Sequence, residues 1–339
     1  MSENSKNSFR APEFTRVYCE ESLIGTRDAV RILSRLKNPE VIPIPHYKDV
    51  FCRAHQNYSA QSNSKALILA KNTGEKIYKG APVCQGFGEE NFCYSNSVLG
   101  CVFDCDYCFL KGVFDSADMV VFVNFDDYKA ACEDRLEKGP MYLCVSYDTD
   151  LPALNSLTGL ADKWIAYAKD REGLTIEIRT KSAPTKFTAS AHIVYSFTLS
   201  PESVIENTEH KTPPLSARLA SVRKAVDAGA RVRLCIDPIM LTADWENEYT
   251  NLVSEIASAV DLSKIRDVSV GTFRLSAEYL KRMRKNCPLS PVAWYPYTNV
   301  DGVYQYAEDL DLKMQKVVTD ELKKYIDEGQ IWRWNPEKQ

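Results

Sequence analysis

The 339-residue sequence contains no apolar run of about eighteen residues, which is the length that a membrane-spanning helix requires. Its first residues, Met1 to Asn7, are polar and lack the apolar segment of a secretion signal. Internal repeats and low-complexity stretches are also missing, while 45% apolar residues suffice for a sizeable core. The sequence therefore predicts a cytoplasmic, globular protein without a membrane span.

An excess of positive charge is lacking too, because 46 acidic residues outnumber 42 basic ones and give a net charge of -4. A non-specific nucleic-acid binder normally attracts phosphates over its whole surface. Any contact with DNA must then be local. Two groups of basic residues are candidates, although such groups are more often solvated faces of amphipathic helices: Lys281, Arg282, Arg284 and Lys285, and Arg218, Arg223, Lys224, Arg231 and Arg233.

The eleven cysteines do not suggest a disulfide framework, because their number is odd and they cluster only once. This distribution predicts a reducing compartment and a bound cofactor. The clustered residues are Cys101, Cys105 and Cys108, and an aromatic residue, Phe109, follows the last of them. Thiolates bind iron, and three of them on one short loop leave the fourth iron of a 4Fe-4S cluster without a protein ligand.

Three other interpretations of this cysteine cluster are open. A structural zinc site needs four ligands, usually as two separated pairs, and the sequence has no second pair. An electron-transfer ferredoxin site needs a fourth cysteine, which Cys84 or Cys93 would have to supply. The three cysteines can also be ordinary small core residues.

Strands alternate with helices of ten to fifteen residues after Cys108, which predicts parallel β/α units with right-handed crossovers. We predict an α/β fold, a partial (β/α)6 barrel with extensions at both ends. The expected divisions are a disordered N-terminus (1–13), an N-terminal α/β extension (14–90), the barrel core (91–275) and a C-terminal extension (276–339). Predicted strands include 94–99, 119–123, 141–147, 174–180, 192–199, 231–236 and 268–273, and predicted helices include 125–138, 157–171, 214–228 and 245–260.

The cysteine pattern resembles that of the radical S-adenosylmethionine (SAM) superfamily. The resemblance implies that SAM chelates the open iron and that an electron from the cluster cleaves SAM to a 5'-deoxyadenosyl radical. Ligands of such α/β folds gather at the carboxyl ends of the strands. Polar residues there can hold the ribose and the carboxylate of SAM, or simply cap helices and turns; they are Thr149, Asp150, Lys181, Thr198 and Ser200, with Phe109 as a candidate to stack on the adenine.

From about Phe14 to about Tyr306 the chain resembles the spore photoproduct lyase family of that superfamily. The matching segments are those around Cys108, Val145 to Asp150, Arg179 to Lys181, Phe197 to Ser200, Val204 to Asn207 and Thr212 to Gly229. The resemblance implies repair of thymine dimers in DNA, in which a hydrogen leaves C6 of the lesion and a C–C bond then breaks.

The chain departs from the family at one position. The family returns a hydrogen atom to the product radical from a cysteine on the second strand, and Tyr147 stands there. A phenol can relay a hydrogen atom in place of the thiol, or Tyr147 can be a packing residue. Cys144 lies three residues earlier and would project from the opposite face of a regular strand. We take Tyr147 and Cys144 as candidate catalytic residues.

The leading hypothesis is therefore a radical SAM lyase that acts on thymine lesions. It implies a 4Fe-4S cluster and SAM as cofactors, with DNA and an electron donor such as flavodoxin or ferredoxin as partners. The acidic net charge and the missing donor cysteine motivate an alternative, a radical SAM enzyme with a non-DNA substrate. A metal-binding or electron-transfer module without SAM cleavage is the third.

Overall fold

The computed structural model describes residues 13–80, 84–89 and 91–334. The predicted disordered N-terminus, apart from residue 13, lies outside these residues. Within the described ranges, the helices are all too short or too polar to cross a bilayer.

The N-terminal segment contains four strands and three short helices. In chain order they are β1 (Arg16–Glu20), α1 (Arg27–Leu33), β2 (Glu40–Ile44), α2 (Lys48–Phe51), α3 (Tyr58–Asn63), β3 (Leu67–Ala70) and β4 (Ile77–Lys79).

The central segment supplies most of the strands. It comprises β5 (Phe92–Ser95), β6 (Val98–Leu99), β7 (Asp104–Cys105), α4 (Leu110–Val113), β8 (Met119–Phe122), α5 (Phe125–Leu136), β9 (Met141–Cys144), α6 (Leu151–Thr158), α7 (Leu160–Ala168), β10 (Leu174–Thr180), β11 (Ile193–Thr198), α8 (Glu202–Thr208), β12 (Glu209–His210), α9 (Leu215–Asp227), β13 (Arg231–Ile239), α10 (Trp245–Ala259) and β14 (Asp267–Thr272).

The C-terminal segment ends in a strand. Its elements are β15 (Arg274–Ser276), α11 (Ala277–Asn286), α12 (Pro291–Trp294), β16 (Thr298–Val300), β17 (Val303–Gln305), α13 (Glu308–Leu322) and β18 (Ile331–Arg333).

The main sheet has the strand order β18-β14-β13-β11-β10-β9-β5-β4. Its six central strands run parallel, and only the edge strand β4 is antiparallel to its neighbour. Strands such as β11 and β14 are buried along their whole length, as is usual where helices cover a parallel sheet. The α/β class and the partial (β/α)6 barrel are confirmed.

A second sheet, in the order β2-β1-β3-β8-β6, lies apart from the main one. It corrects two details of the prediction. The single strand expected over 94–99 is two strands: β5 pairs with β9 in the main sheet, whereas β6 pairs with β8 in the second. The strand expected over 119–123 is formed, as β8, but it belongs to the second sheet. Apolar residues predict that a strand forms without showing which sheet it joins.

Two further boundaries differ from the prediction. The helix expected over 157–171 is split into α6 and α7 by Gly159, which has a φ of +68°. Such a left-handed backbone favours glycine and ends a helix. The strand expected over 141–147 ends at Cys144, so residues 145–149 form a turn at the carboxyl end of β9.

The predicted extensions both contribute to the main sheet, through β4 at one edge and β18 at the other. The expected domain boundaries at 90 and 275 stay predictions, because all three segments share this sheet.

Candidate active site at the carboxyl ends of the strands

The cysteine loop connects β6 to α4 and is held at both ends. Gly100, with a φ of +86°, precedes Cys101, and a Cβ atom there would lie 2.9 Å from a backbone oxygen, so the loop needs glycine at this point. The ammonium group of Lys65 donates hydrogen bonds to the carbonyl oxygens of Cys101 (2.6 Å) and Phe103 (3.1 Å). The amide of Cys108 donates to the carbonyl of Cys105. These contacts fix the backbone that carries the three thiols.

The three cysteine side chains share one electrostatic environment. Cys105 is buried, while Cys101 and Cys108 are partly exposed and line a common cavity. Burial raises the pKa of Cys101 to about 12, and that of Cys105 rises as well, through burial and then through neighbouring charges that include Cys101 and Cys108. Buried thiols of this kind ionise only beside a strong positive charge.

The donor set fits an iron-sulfur cluster. Each thiolate of a cubane cluster binds a different iron, so the sulfurs surround the cluster rather than converge on one ion. Among the described residues, no three His, Cys, Asp or Glu side chains are placed to hold a single metal ion. Free cysteines on one short loop fit an anionic thiolate cluster, because Lys65 lowers the pKa of Cys101 and Lys181 lowers that of Cys105 against the effect of burial.

The cysteine loop is anchored by a buried ion pair that the sequence did not reveal. Strand β7 pairs with β12 and places Cys105 opposite Glu209. The carboxylate of Glu209 accepts hydrogen bonds from Tyr107, from Ser200 (2.8 Å) and from Arg218 (2.5 Å). Glu209 and Arg218 are both almost fully buried. The residue types alone gave no sign of this pairing, since Glu209 follows an ordinary helix and Arg218 lies within another.

Two of the arginines named as candidate DNA contacts, Arg218 and Arg233, are buried, so neither that role nor a solvated helix face applies to them. Arg218 is buried and also donates to the carbonyl oxygens of Pro213 and Thr198. Arg233 is buried in the main sheet, where it binds Asp267 and Glu177. Both arginines neutralise buried carboxylates, a role that a basic cluster in the sequence does not show.

Lys181 follows β10 and points to the same region as the cysteine loop. Its ammonium group lies 5.3 Å from the centre of the Tyr107 ring and has no hydrogen bond or ion pair with any residue that the structure describes. Burial tends to lower the pKa of Lys181, but Cys105 and Glu209 raise it more, so the net shift is upward. Lys181 is therefore a charged group available to an anion.

Asp150 has protein partners on both of its carboxylate oxygens. It caps α6 by accepting from the amide of Ala153, and it accepts from the hydroxyl of Thr180 and the amides of Lys181 and Ser182. Helix capping, one of the two interpretations of this residue, is thus the contact observed. Asp150 fixes the ends of β9 and β10 relative to each other.

The three hydroxyl candidates differ in their contacts. The hydroxyl of Thr149 is buried and has no partner among the described residues, which leaves it free for a ligand. The hydroxyl of Ser200 is occupied, because it donates to Glu209. Thr198 is nearly buried, and its carbonyl accepts from Arg218.

Asp148 is a buried carboxyl group beside these residues. Only 8% of it is exposed, and burial raises its pKa to about 7. A raised pKa means that folded protein keeps a proton on Asp148 at pH values where the unfolded chain has lost it.

We expect this proton to make stability depend on pH. The contribution of Asp148 to stability falls as the pH rises from about 4 to 7, and above that range the ionisation of its buried carboxyl group costs at most about 4 kcal/mol. Asp148→Asn removes that cost, so its free energy of unfolding should exceed the wild-type value more at pH 8 than at pH 5. Urea unfolding of the metal-free protein measures the difference, and the exposed Asp170→Asn serves as the control. If the free energy of unfolding of Asp148→Asn exceeds the wild-type value by the same amount at both pH values, the account is contradicted.

Tyr147 and Cys144 do not lie on opposite sides of the strand as expected. Cys144 belongs to a small buried cluster, and Tyr147 packs against that same cluster. The reason is that β9 ends at Cys144, so the alternation of a regular strand does not extend to Tyr147. The ring of Tyr147 lies 5.4 Å from the ring of Phe109, next to the last cysteine of the loop.

Comparisons with known proteins identify the family and the fold of the chain. The sequence model of the family described as spore photoproduct lyase matches residues 94–332. The chain belongs to the spore photoproduct lyase family. Two curated relatives carry that name: the protein from Clostridium acetobutylicum is 25% identical over 166 residues (47% of this chain, 49% of the relative), and the one from Geobacillus sp. (strain Y412MC61) is 26% identical over 182 residues (49% and 52%). The matched region thus spans about half the length of these relatives.

Solved structures of the family share the fold. A spore photoproduct lyase complexed with dinucleoside spore photoproduct matches with a TM-score of 0.79 at 17% identity, over 96% of this chain and 99% of that one. A double mutant of spore photoproduct lyase with bound AdoMet and the same dinucleoside matches with a TM-score of 0.80, also at 17% identity and the same coverage. The family fold therefore extends over nearly the whole chain.

Proposed function

We propose that this chain is a radical SAM lyase that repairs thymine dimer lesions of the spore photoproduct type by cleaving a C–C bond. When bound, a 4Fe-4S cluster and SAM supply a 5'-deoxyadenosyl radical. Cys101, Cys105 and Cys108 would hold the cluster. The observation that carries the proposal is the fixed three-cysteine loop beside Lys181, a lysine without an anionic partner among the described residues.

The residues around the loop support a site for SAM. Lys181 can bind the carboxylate of the methionine moiety, and the unpartnered hydroxyl of Thr149 can bind a polar group such as a ribose hydroxyl. Thr198 lines the same strand ends, and Phe109 offers a partly exposed ring for the adenine. Ser200 and Asp150, whose polar atoms are occupied, would act as positioning residues that hold the strand ends in place.

The substrate is proposed from the family. A solved relative holds dinucleoside spore photoproduct and another holds AdoMet as well, and family membership supports the same pair here. DNA containing such lesions is then the proposed partner in the cell, with a ferredoxin or flavodoxin as the proposed electron donor and the cytoplasm as the proposed location. The protein's part is to keep water and stray thiols away from the radical, which requires an enclosed site.

The repair assay tests this function. Anaerobically reconstituted protein is incubated with SAM, dithionite and the dinucleoside spore photoproduct, and the products are separated by chromatography. We expect 5'-deoxyadenosine together with the repaired pair of thymidines. Formation of 5'-deoxyadenosine without any repair would reject the thymine lesion as substrate.

That second outcome would favour a radical SAM enzyme acting on a non-DNA substrate. The acidic net charge of the chain motivates this candidate, and the burial of Arg218 and Arg233 in ion pairs leaves neither side chain available to a DNA phosphate. Lys281 and Lys285, on α11, stay exposed and are the basic residues left for a phosphate contact in that helix. When lesion-containing DNA replaces the dinucleoside in the repair assay, loss of repair in a Lys281→Glu variant, with 5'-deoxyadenosine formation retained, would support DNA as the substrate.

A further inference from the structure

A cysteine outside the loop contacts the tyrosine that stands where the family has a cysteine. Cys84 is 9% exposed and lies before β5. Its sulfur is 2.5 Å from the phenolic oxygen of Tyr147. Neither side chain has another hydrogen bond within the described part of the chain, so the thiol and the phenol are each other's partner. The sequence alone offers Cys84 as a possible fourth ligand of the cluster.

This thiol–phenol pair adjoins the cysteine loop through aromatic contacts. The Tyr147 ring stacks on Tyr94 at 4.5 Å, and on its other side it lies 5.4 Å from Phe109. Phe109 directly follows Cys108 in the sequence. The turn that carries Tyr147 also carries Thr149, the residue with the unpartnered hydroxyl. The pair therefore lies one aromatic ring away from the cysteine loop.

We propose that Cys84 and Tyr147 together are the hydrogen-atom donor of this enzyme, and that the thiol of Cys84 delivers the atom to the substrate radical. The proposal rests on the proposed function, because it requires a carbon radical to be quenched. Thiols transfer hydrogen atoms to carbon radicals readily, since the S–H bond is weaker than the C–H bond that forms. A phenolic O–H bond is close in strength to S–H, so the two groups can exchange the atom.

The steps balance as follows. After the C–C bond breaks, the carbon radical takes a hydrogen atom from Cys84: the S–H bond breaks, a C–H bond forms and a thiyl radical is left. Tyr147 then passes its phenolic hydrogen atom to the sulfur, which re-forms S–H and leaves a phenoxyl radical. One electron from the one-electron reductant that serves the cluster, and one proton from solvent, return Tyr147 to the phenol.

The surroundings suit this role. Burial raises the pKa of Tyr147 well above its ordinary value, and the adjacent Cys84 raises it further, so the phenol keeps its hydrogen. Cys144, the other candidate, is fully buried and has no contact of this kind with Tyr147. The geometry thus favours Cys84 over Cys144 as the partner of Tyr147.

The first test follows the transferred atom in the reconstituted full chain. Repair of the dinucleoside spore photoproduct in D2O should place one deuterium from the exchangeable thiol on the carbon freed by C–C cleavage. Cys84→Ser should lower the yield of repaired product by roughly tenfold or more while leaving 5'-deoxyadenosine formation and iron content unchanged. The buried Cys93→Ser is the matched control and should behave as wild type. Adding Tyr147→Cys to Cys84→Ser should restore repair.

A second readout needs neither cluster nor substrate. The infrared difference between the metal-free wild type and Cys84→Ser isolates the S–H stretch of Cys84. If the thiol is bonded to the phenol, that band shifts in Tyr147→Phe and stays in place in Cys93→Ser. Cys84→Ala replaces Cys84→Ser in both tests if the serine variant does not retain iron.

The outcomes separate this proposal from the proposed function. If Cys84→Ser repairs the lesion with the same yield and deuterium content as the wild type, the donor pair is overturned and the repair function stands. The same conclusion follows if the S–H band does not shift in Tyr147→Phe. A product that carries no deuterium in wild type would overturn it as well. A wild-type chain that forms no 5'-deoxyadenosine would instead reject the proposed function, and the donor pair with it.

Discussion

Cys105→Ala is expected to abolish cluster binding. Cys105 is the buried member of the cysteine loop and stands opposite Glu209 in the β7–β12 pair. Two thiolates cannot hold a cubane cluster as three do, so anaerobically reconstituted protein should fall from about four irons per chain to nearly none. Formation of 5'-deoxyadenosine should disappear with the iron, since no other step can generate the radical.

The exposed Cys52→Ala is the control for this experiment, because it removes a thiol far from the loop in sequence without creating a buried cavity. Iron analysis and SAM cleavage are measured on both variants, and circular dichroism checks that each is folded. Retention of full iron in Cys105→Ala would mean that the cluster, if present, uses other ligands, and the assignment of the loop would be wrong.

Arg218→Met should have the largest effect on stability. It leaves the carboxylate of Glu209 buried without its charged partner, and breaking a buried ion pair in this way costs about 3–5 kcal/mol. Because Glu209 also accepts from Tyr107 and anchors the strand opposite Cys105, the variant should lose iron more readily as well.

The double variant Arg218→Met/Glu209→Gln separates the charge from the packing. It removes both charges, so part of the lost stability should return. The free energy of unfolding of the metal-free proteins is measured with urea. A loss below about 1 kcal/mol in Arg218→Met, the range of an exposed pair, would show that the pair contributes little to the anchor.

The sequence predicted the parts of the site that depend on local spacing. Three cysteines on one loop are recognisable as candidate ligands because the cysteines of many iron-sulfur sites lie close together in the chain, and their role as ligands stays a prediction. The central strands were also predictable, since buried parallel strands form continuous apolar runs. Strand β10 occupies the predicted range 174–180 without a shift at either end.

What the sequence did not show depends on contacts between distant residues. The partner of Arg218 is nine residues away on another element, and nothing in either local pattern indicates that they meet. The partner of Tyr147 is 63 residues away in a segment without regular structure. The strand expected over 94–99 divides at residues 96–97 because β5 pairs in the main sheet and β6 pairs in the second. The apolar pattern of the sequence does not show which sheet a strand joins.

Polar residues at strand ends posed a different problem, because the same residue types cap helices and bind ligands. The structure distinguishes the two roles by showing which polar side-chain atoms already have a hydrogen-bond partner in the protein. The side chains of Asp150 and Ser200 form hydrogen bonds within the protein, while those of Thr149 and Lys181 form none with the residues that the structure describes. Only the folded chain provides that distinction.

The central claim is that the cysteine loop holds a 4Fe-4S cluster with one iron open to SAM. Electron paramagnetic resonance of the dithionite-reduced wild-type protein, recorded with and without SAM, tests it most directly. The account predicts a reduced-cluster signal whose shape changes when SAM is added, because SAM occupies the open iron. A signal that SAM leaves unchanged, or a preparation that holds zinc in place of iron, would contradict it.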